Sequence, residues 1–146
     1  MKKGLFDTST LVAALVESHP KHTLVLPWLQ RVKKGLDKGV VSAHSLAELY
    51  NILTIFPAKP RRISPQEAQQ LIQQNLLEVF EIITLSEQDY MSVIKHLSES
   101  GVIGGVIYDA LILKAAIKAN VDYVMTLNEK DFKRVYPDFA DKVISP

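Results

Sequence analysis

Five positions along the chain carry chemistry worth weighing together: Asp7, Glu48, Asp109, and the neighbours Asn128 and Asp131. Singly, each has an ordinary structural use. Asp7 follows a short apolar run and fits a helix N-cap or an Asx turn. Glu48 stands three residues after Ser45 and fits a capping box. Asp109 falls in a first helical turn, where a carboxylate gains about 0.3–1 kcal/mol from the helix dipole. Asn128 and Asp131 can cap and open a last short helix. Together they suggest something else. Three or four carboxylates at one edge of a fold repel one another unless a divalent cation neutralises them. There is no cysteine and no regularly spaced histidine pair, so hard oxygen ligands point to Mg²⁺ or Mn²⁺ rather than zinc. A cation held there lowers the pKa of a bound water, and the resulting hydroxide can attack a phosphodiester in line.

Whether these acids meet depends on the elements between them. The sequence alternates short apolar strands with amphipathic helices. Strands are predicted at Gly4–Phe6, Gly39–Ser42, Phe80–Leu85 and Tyr123–Thr126, with Val143-Ile144 as a last edge strand. Helices are predicted over Leu11–Ser18, Thr23–Leu36, Ser45–Phe56, Pro65 to about Glu78, Ser86 to about Ser100, Tyr108–Ala119 and Glu129–Val135. The clearest helix start is Ser64-Pro65-Gln66-Glu67: a serine cap, proline at the first helical position and glutamate three residues on. Pro20, Pro57 and Pro60 act as stops, and Gly101, Gly104 and Gly105 mark a loop. Such alternation predicts an α/β fold with a parallel central sheet of four to five strands and helices on both faces. Ligands in such sheets sit at the carboxyl ends of the strands. Asp7 and the Thr126–Asn128 segment both follow strands, which puts them on that edge.

Composition is consistent with one domain spanning 1–146. Apolar residues make up 47% and charged residues 23% of the 146, which excludes disordered, collagenous and coiled-coil classes. No stretch approaches the roughly 20 apolar residues of a membrane span, and Met1-Lys2-Lys3 leads into a short run broken by Asp7. The expectation is a soluble, cytoplasmic protein with no membrane partner. The formal charge of +1 hides an asymmetry: residues 1–62 hold ten Lys/Arg and four Asp/Glu, residues 63–146 seven and twelve. Two readings stay open, an accident of composition or a basic surface beside an acidic one.

Four segments carry a family resemblance. Leu5-Phe6-Asp7-Thr8-Ser9-Thr10-Leu11-Val12-Ala13 resembles the opening of PIN-domain ribonucleases, in which the aspartate is the first metal ligand. Ser45-Leu46-Ala47-Glu48-Leu49-Tyr50-Asn51 is similar to the family's second acidic motif, and Gly104-Gly105-Val106-Ile107-Tyr108-Asp109-Ala110-Leu111-Ile112 to its third. Val124-Met125-Thr126-Leu127-Asn128-Glu129-Lys130-Asp131-Phe132 resembles the closing motif. The order is right, with separations of 41, 61 and 19 residues from Asp7 through Glu48 and Asp109 to Asn128.

The resemblance implies a PIN-like domain and a divalent-metal-dependent endoribonuclease, most often the toxin of a VapBC-type toxin–antitoxin pair. By carry-over, Asp7, Glu48 and Asp109 bind Mg²⁺ or Mn²⁺. Asn128 departs from the aspartate that many members have there, and Asp131, one turn on, can supply the missing charge. Implied partners are an RNA substrate, a cognate antitoxin protein and a second copy of the chain. Thr8, Ser9 and Thr126 can hydrogen-bond a metal-bound water or simply serve turns and caps. Arg61 and Arg62 can contact RNA phosphate or be solvated loop residues. Tyr50 and Tyr108 read as packing residues rather than base-stacking platforms, and His44, four residues before Glu48, as its neighbour across one helical turn. The alternative is a non-catalytic PIN-like binding module with a degraded metal site.

Overall fold

A computed structural model describes all residues, 1–146. Its strands are β1 (Lys2–Phe6), β2 (Asp37–Ser42), β3 (Glu81–Ile83), β4 (Tyr123–Met125) and β5 (Val143–Ile144). They form one sheet in the order β3-β2-β1-β4-β5, and every pairing is parallel. Around it lie α1 (Thr8–Leu15), α2 (His22–Lys33), α3 (Ala43–Ile55), α4 (Pro65–Ile72), α5 (Glu87–Ser100), α6 (Val106–Ala119) and α7 (Glu129–Val135). The predicted α/β architecture is what forms. No helix is long and apolar enough to cross a membrane.

Side chains alternate across a strand with a period of two, so adjacent apolar residues face opposite ways. Phe6, Val41 and Met125 join one core cluster with Leu11, Leu49 and Leu53. Their neighbours Leu5, Val40 and Val124 join the other, with Leu113 and Phe132. Burial on both faces is why these strands read as continuous apolar runs.

The chain builds the sheet outward from β1 to β3, then returns to lay β4 on the other side of β1. The strand order reverses there, which makes the carboxyl ends of β1 and β4 the natural crevice for a ligand.

Helix starts follow local chemistry where that chemistry is complete. Ser64 and Glu67 form both halves of a capping box, at 3.1 and 3.2 Å, and Ser86 and Asp89 do the same before α5. Two starts differ from expectation. Helix α1 begins at Thr8, not Leu11, because Asp7 caps it. Helix α3 begins at Ala43, so Ser45 caps nothing and Glu48 lies in the second turn. Helix α4 ends at Ile72 and widens into a π turn over Gln73–Leu77, short of the predicted Glu78.

Close packing at Gly39 in β2 gives a stability prediction. A Cβ there would stand 2.6 Å from Phe80 Cε2 and 2.7 Å from Val32 Cγ1, and Phe80 is itself held edge-on to Phe6 at 5.4 Å. Gly39→Ala is expected to cost about 1–3 kcal/mol, read as a lower urea midpoint with an unchanged slope.

Candidate active site

Asp7 is the first residue past β1 and the N-cap of α1, so its position is set by a strand and a helix at once. Only 3% of it is exposed. Its Oδ1 accepts from the Thr10 N–H at 2.9 Å and the Ser9 hydroxyl at 2.7 Å. Its Oδ2 accepts from the Thr126 hydroxyl at 2.6 Å. Three donated protons leave about one of a carboxylate's four lone-pair positions free. Burial pushes this carboxyl above its ordinary pKa, and the Thr126, Thr10 and Ser9 donors pull it back.

Thr8 links Asp7's segment to α3. Its hydroxyl lies 3.0 Å from Glu48 Oε1 and shares a hydrogen bond with Ser45 Oγ at 3.1 Å. Ser45 is completely buried, so the serine that resembled a cap is a tertiary contact. Thr126, also completely buried, donates to Asp7 and accepts from the Asn128 backbone N–H at 2.9 Å. Ser9 Oγ accepts from the Leu127 N–H at 3.2 Å. The carboxyl ends of β1 and β4 are thus laced together by hydroxyls. Thr8 and Thr126 are too enclosed to meet a substrate; they orient the acids.

Asp109 lies in the first turn of α6, as predicted. Its carboxyl is pushed up to about 6, first by burial and then by the charges of Asp7, Asp131 and Glu48. Four acids from four elements therefore share one electrostatic neighbourhood. Ion pairs form elsewhere on the surface, yet none involves Asp7, Glu48 or Asp109. Asn128, at the start of α7, turns its side-chain amide onto Asp131 Oδ2 at 3.0 Å. Asp131 also has Arg134 at 3.6 Å. Asn128 thus tethers Asp131, and the charge on that side is Asp131's.

The set Asp7, Glu48 and Asp109 fits a hard divalent cation: carboxylate oxygens, mutually repelling, with no ion pair of their own. No three of the acids close on a single point as they stand. Asp7 is held by three donors, whereas Glu48 and Asp109 are partly exposed.

Arg61 and Arg62 fall outside the cluster. Their loop is held by Lys59 N–H on Ser18 Oγ at 3.0 Å, past the far end of α1, whose eight residues rise about 12 Å. Arg61 is engaged by Glu67 through two bonds, at 2.6 and 3.1 Å. The packing roles expected of Tyr50 and Tyr108 are also corrected, since they are 44% and 52% exposed. His44, expected beside Glu48, stacks its ring on Tyr108, with centroids 5.9 Å apart and planes 10° from parallel.

The model of the PIN-domain family matches residues 5–137. The chain belongs to the PIN-domain family. Among curated relatives, this PIN domain is 30% identical over 110 residues to Ribonuclease VapC27 of Mycobacterium tuberculosis, covering 75% of this chain and 74% of that one. It is 32% identical over 107 residues to Ribonuclease VapC40 of the same organism, covering 73% and 72%. Among solved structures it resembles Mycobacterium tuberculosis VapC20, a sarcin–ricin loop cleaving toxin. That match has a TM-score of 0.69 and 15% identity, covering 91% and 95% of the two chains. It also resembles VapBC2 from Rickettsia felis, solved on a fragment of its promoter DNA. The TM-score there is 0.66 and the identity 23%, covering 99% and 98%. At those identities the structural likeness establishes the PIN fold.

Within this PIN domain, Thr126→Val is isosteric but removes the donor to Asp7 and leaves the Asn128 N–H without an acceptor. A cost of about 1–3 kcal/mol is expected, measured by denaturant unfolding. Asp7, having lost that donor, rises further above its ordinary pKa.

Proposed function

We propose that the chain is a Mg²⁺- or Mn²⁺-dependent endoribonuclease, the toxin of a toxin–antitoxin pair. What supports this reading is the electrostatic neighbourhood that Asp109 shares with Asp7, Asp131 and Glu48, with no ion pair on Asp7, Glu48 or Asp109, in a chain related to curated ribonucleases. When bound, the cation supplies an activated water and charge neutralisation at the phosphate. The chain's own residues do the rest. Asp7, braced by Ser9, Thr10 and Thr126, is the fixed ligand. Glu48 and Asp109 are the adjustable ones. Asp131, aimed by Asn128, adds negative charge beside Asp109 and helps orient a water. The low-dielectric setting of Asp7 strengthens each of these interactions.

The antitoxin partner is proposed from the similarity to the Rickettsia VapBC2 assembly, and a homodimer working in the cytoplasm is proposed with it. The rival reading, a binding module, has one observation in its favour: no three acids are gathered on a point. The two readings part in one assay. Partner-free protein is expected to cleave single-stranded RNA in Mn²⁺, to stop in EDTA and to resume on Mn²⁺ addition. Persistent absence of cleavage in Mn²⁺ favours the binding module.

A further inference from the structure

We propose that Tyr108 is a base-stacking platform that seats a nucleotide of single-stranded RNA beside the acid cluster. The proposal rests on the ribonuclease reading of the site and adds a substrate contact to it. The ring belongs to α6, one residue before Asp109, and more than half of the residue is open to solvent. The ring lies nearly parallel to the His44 imidazole from α3 and offset from it, with centroids 5.9 Å apart. His44 is only partly exposed and precedes Glu48 by one turn on the same helix. The pair therefore spans the two helices that supply Glu48 and Asp109.

A large apolar residue left open on a flexible loop would mean little, since single exposed side chains are common. Tyr108 is different in two respects. Its helix backbone and the stack on His44 fix the plane of the ring, so little rotamer entropy is lost when a base lands on it. Tyr108 precedes Asp109 on α6 and His44 shares α3 with Glu48, so a base stacked on the ring lies beside the two helices that carry these acids. Stacking tolerates any base because every base has a π face, and it requires an unpaired strand, because bases inside a duplex already stack on each other. The site thereby prefers loops and single strands without reading a particular base.

The test uses a short single-stranded RNA carrying 2-aminopurine, whose fluorescence is quenched on stacking. It is run with Asp7→Asn protein in Mg²⁺ so that the strand stays whole. The parent is expected to bind and quench the probe. Adding Tyr108→Ala should weaken binding about 5- to 100-fold and remove most of the quench, whereas adding Tyr108→Phe should keep both. With Asp7 intact, Tyr108→Ala is expected to raise KM with kcat within about 2-fold, the signature of binding shared by ground and transition states. A parent that does not quench, an alanine variant that quenches like the parent, or a phenylalanine variant as weak as the alanine one overturns the platform. If no variant cleaves RNA while the quench still depends on the ring, the ribonuclease reading fails and the platform stands. Thermal unfolding of Tyr108→Ala, close to the parent because the ring is exposed, separates loss of contact from loss of fold.

Discussion

Asp109→Asn is expected to lower metal-dependent RNA cleavage by at least ~10³-fold while making the metal-free protein more stable at pH 7. The two effects have one cause. Asp109 is held among Asp7, Asp131 and Glu48, and their charges together with burial push its carboxyl up to about 6. A group whose folded pKa lies above its unfolded value of 3.8 opposes folding once it is ionised. Removing that charge relieves the repulsion. Discounted for partial exposure, the gain is about 1–2 kcal/mol, or roughly 2–8 °C in melting temperature for a chain this size. In the proposed reaction the same substitution removes an anionic ligand from a cation whose charge stabilisation is worth several kcal/mol in the transition state, and each 1.4 kcal/mol is about tenfold in rate. Asparagine keeps the shape and the position in the first turn of α6. Lost activity with raised stability therefore separates a functional acid from a structural one, since loss of a structural acid lowers both.

The second large effect is a pH-dependent stabilisation by metal. Without metal, the contribution of Asp109 to stability is expected to be greatest below its unfolded value of 3.8, where the carboxyl is protonated in the folded and unfolded chain alike. It should fall between 3.8 and about 6 and stay low above, once Asp109 is ionised in both states. Asp7, also raised, contributes in the same direction. With Mn²⁺ or Mg²⁺ present the carboxylates gain a counter-charge only once ionised, so the metal's effect should be small at pH 4–5 and large above pH 7. At a metal concentration about 100 times the dissociation constant the gain is about 2.7 kcal/mol, several degrees in a thermal scan. Asp7→Asn and Asp109→Asn should each abolish most of that increment. A metal shift equal at pH 4.5 and 7.5, or intact in both variants, contradicts the proposed ligands.

Asp7, Asp109 and the closing segment were legible in sequence because their surroundings are local: an apolar run before Asp7, a glycine loop before the helix of Asp109, and a strand before Thr126. The strand–helix alternation was legible for the same reason, and it places all three at one sheet edge. What stayed hidden depends on contacts across the fold. Thr8, Ser9 and Thr10 look like a polar run, yet Thr8 and Thr10 are buried and helical, because Glu48 accepts from the Thr8 hydroxyl, the Asp7 carboxylate from the Ser9 hydroxyl and the Thr10 N–H, and the Asp7 carbonyl from the Thr10 hydroxyl. Ser45 and Glu48 have capping-box spacing, but Ala43 and His44 already belong to the helix, and its buried hydroxyl serves Thr8 instead. The charge asymmetry between the two halves partly dissolves in three dimensions. Lys3 and Lys38 both reach Glu81 at 3.6 Å, and Arg61 pairs with Glu67, so basic residues of the first half are matched by acids of the second. The stack of His44 on Tyr108 joins residues 64 positions apart in the chain, which no local pattern announces.

The central claim is that the acids at the β1–β4 crevice hold the cation that cleaves RNA. The most direct test is single-turnover cleavage of one defined single-stranded RNA by partner-free wild type, Asp7→Asn and Asp109→Asn, titrated with Mn²⁺. The prediction is saturable, EDTA-reversible cleavage by the wild type and at least ~10³-fold slower cleavage by both variants at every metal concentration. Asp109→Asn protein that cleaves at the wild-type rate, with the same dependence on Mn²⁺, would contradict the account.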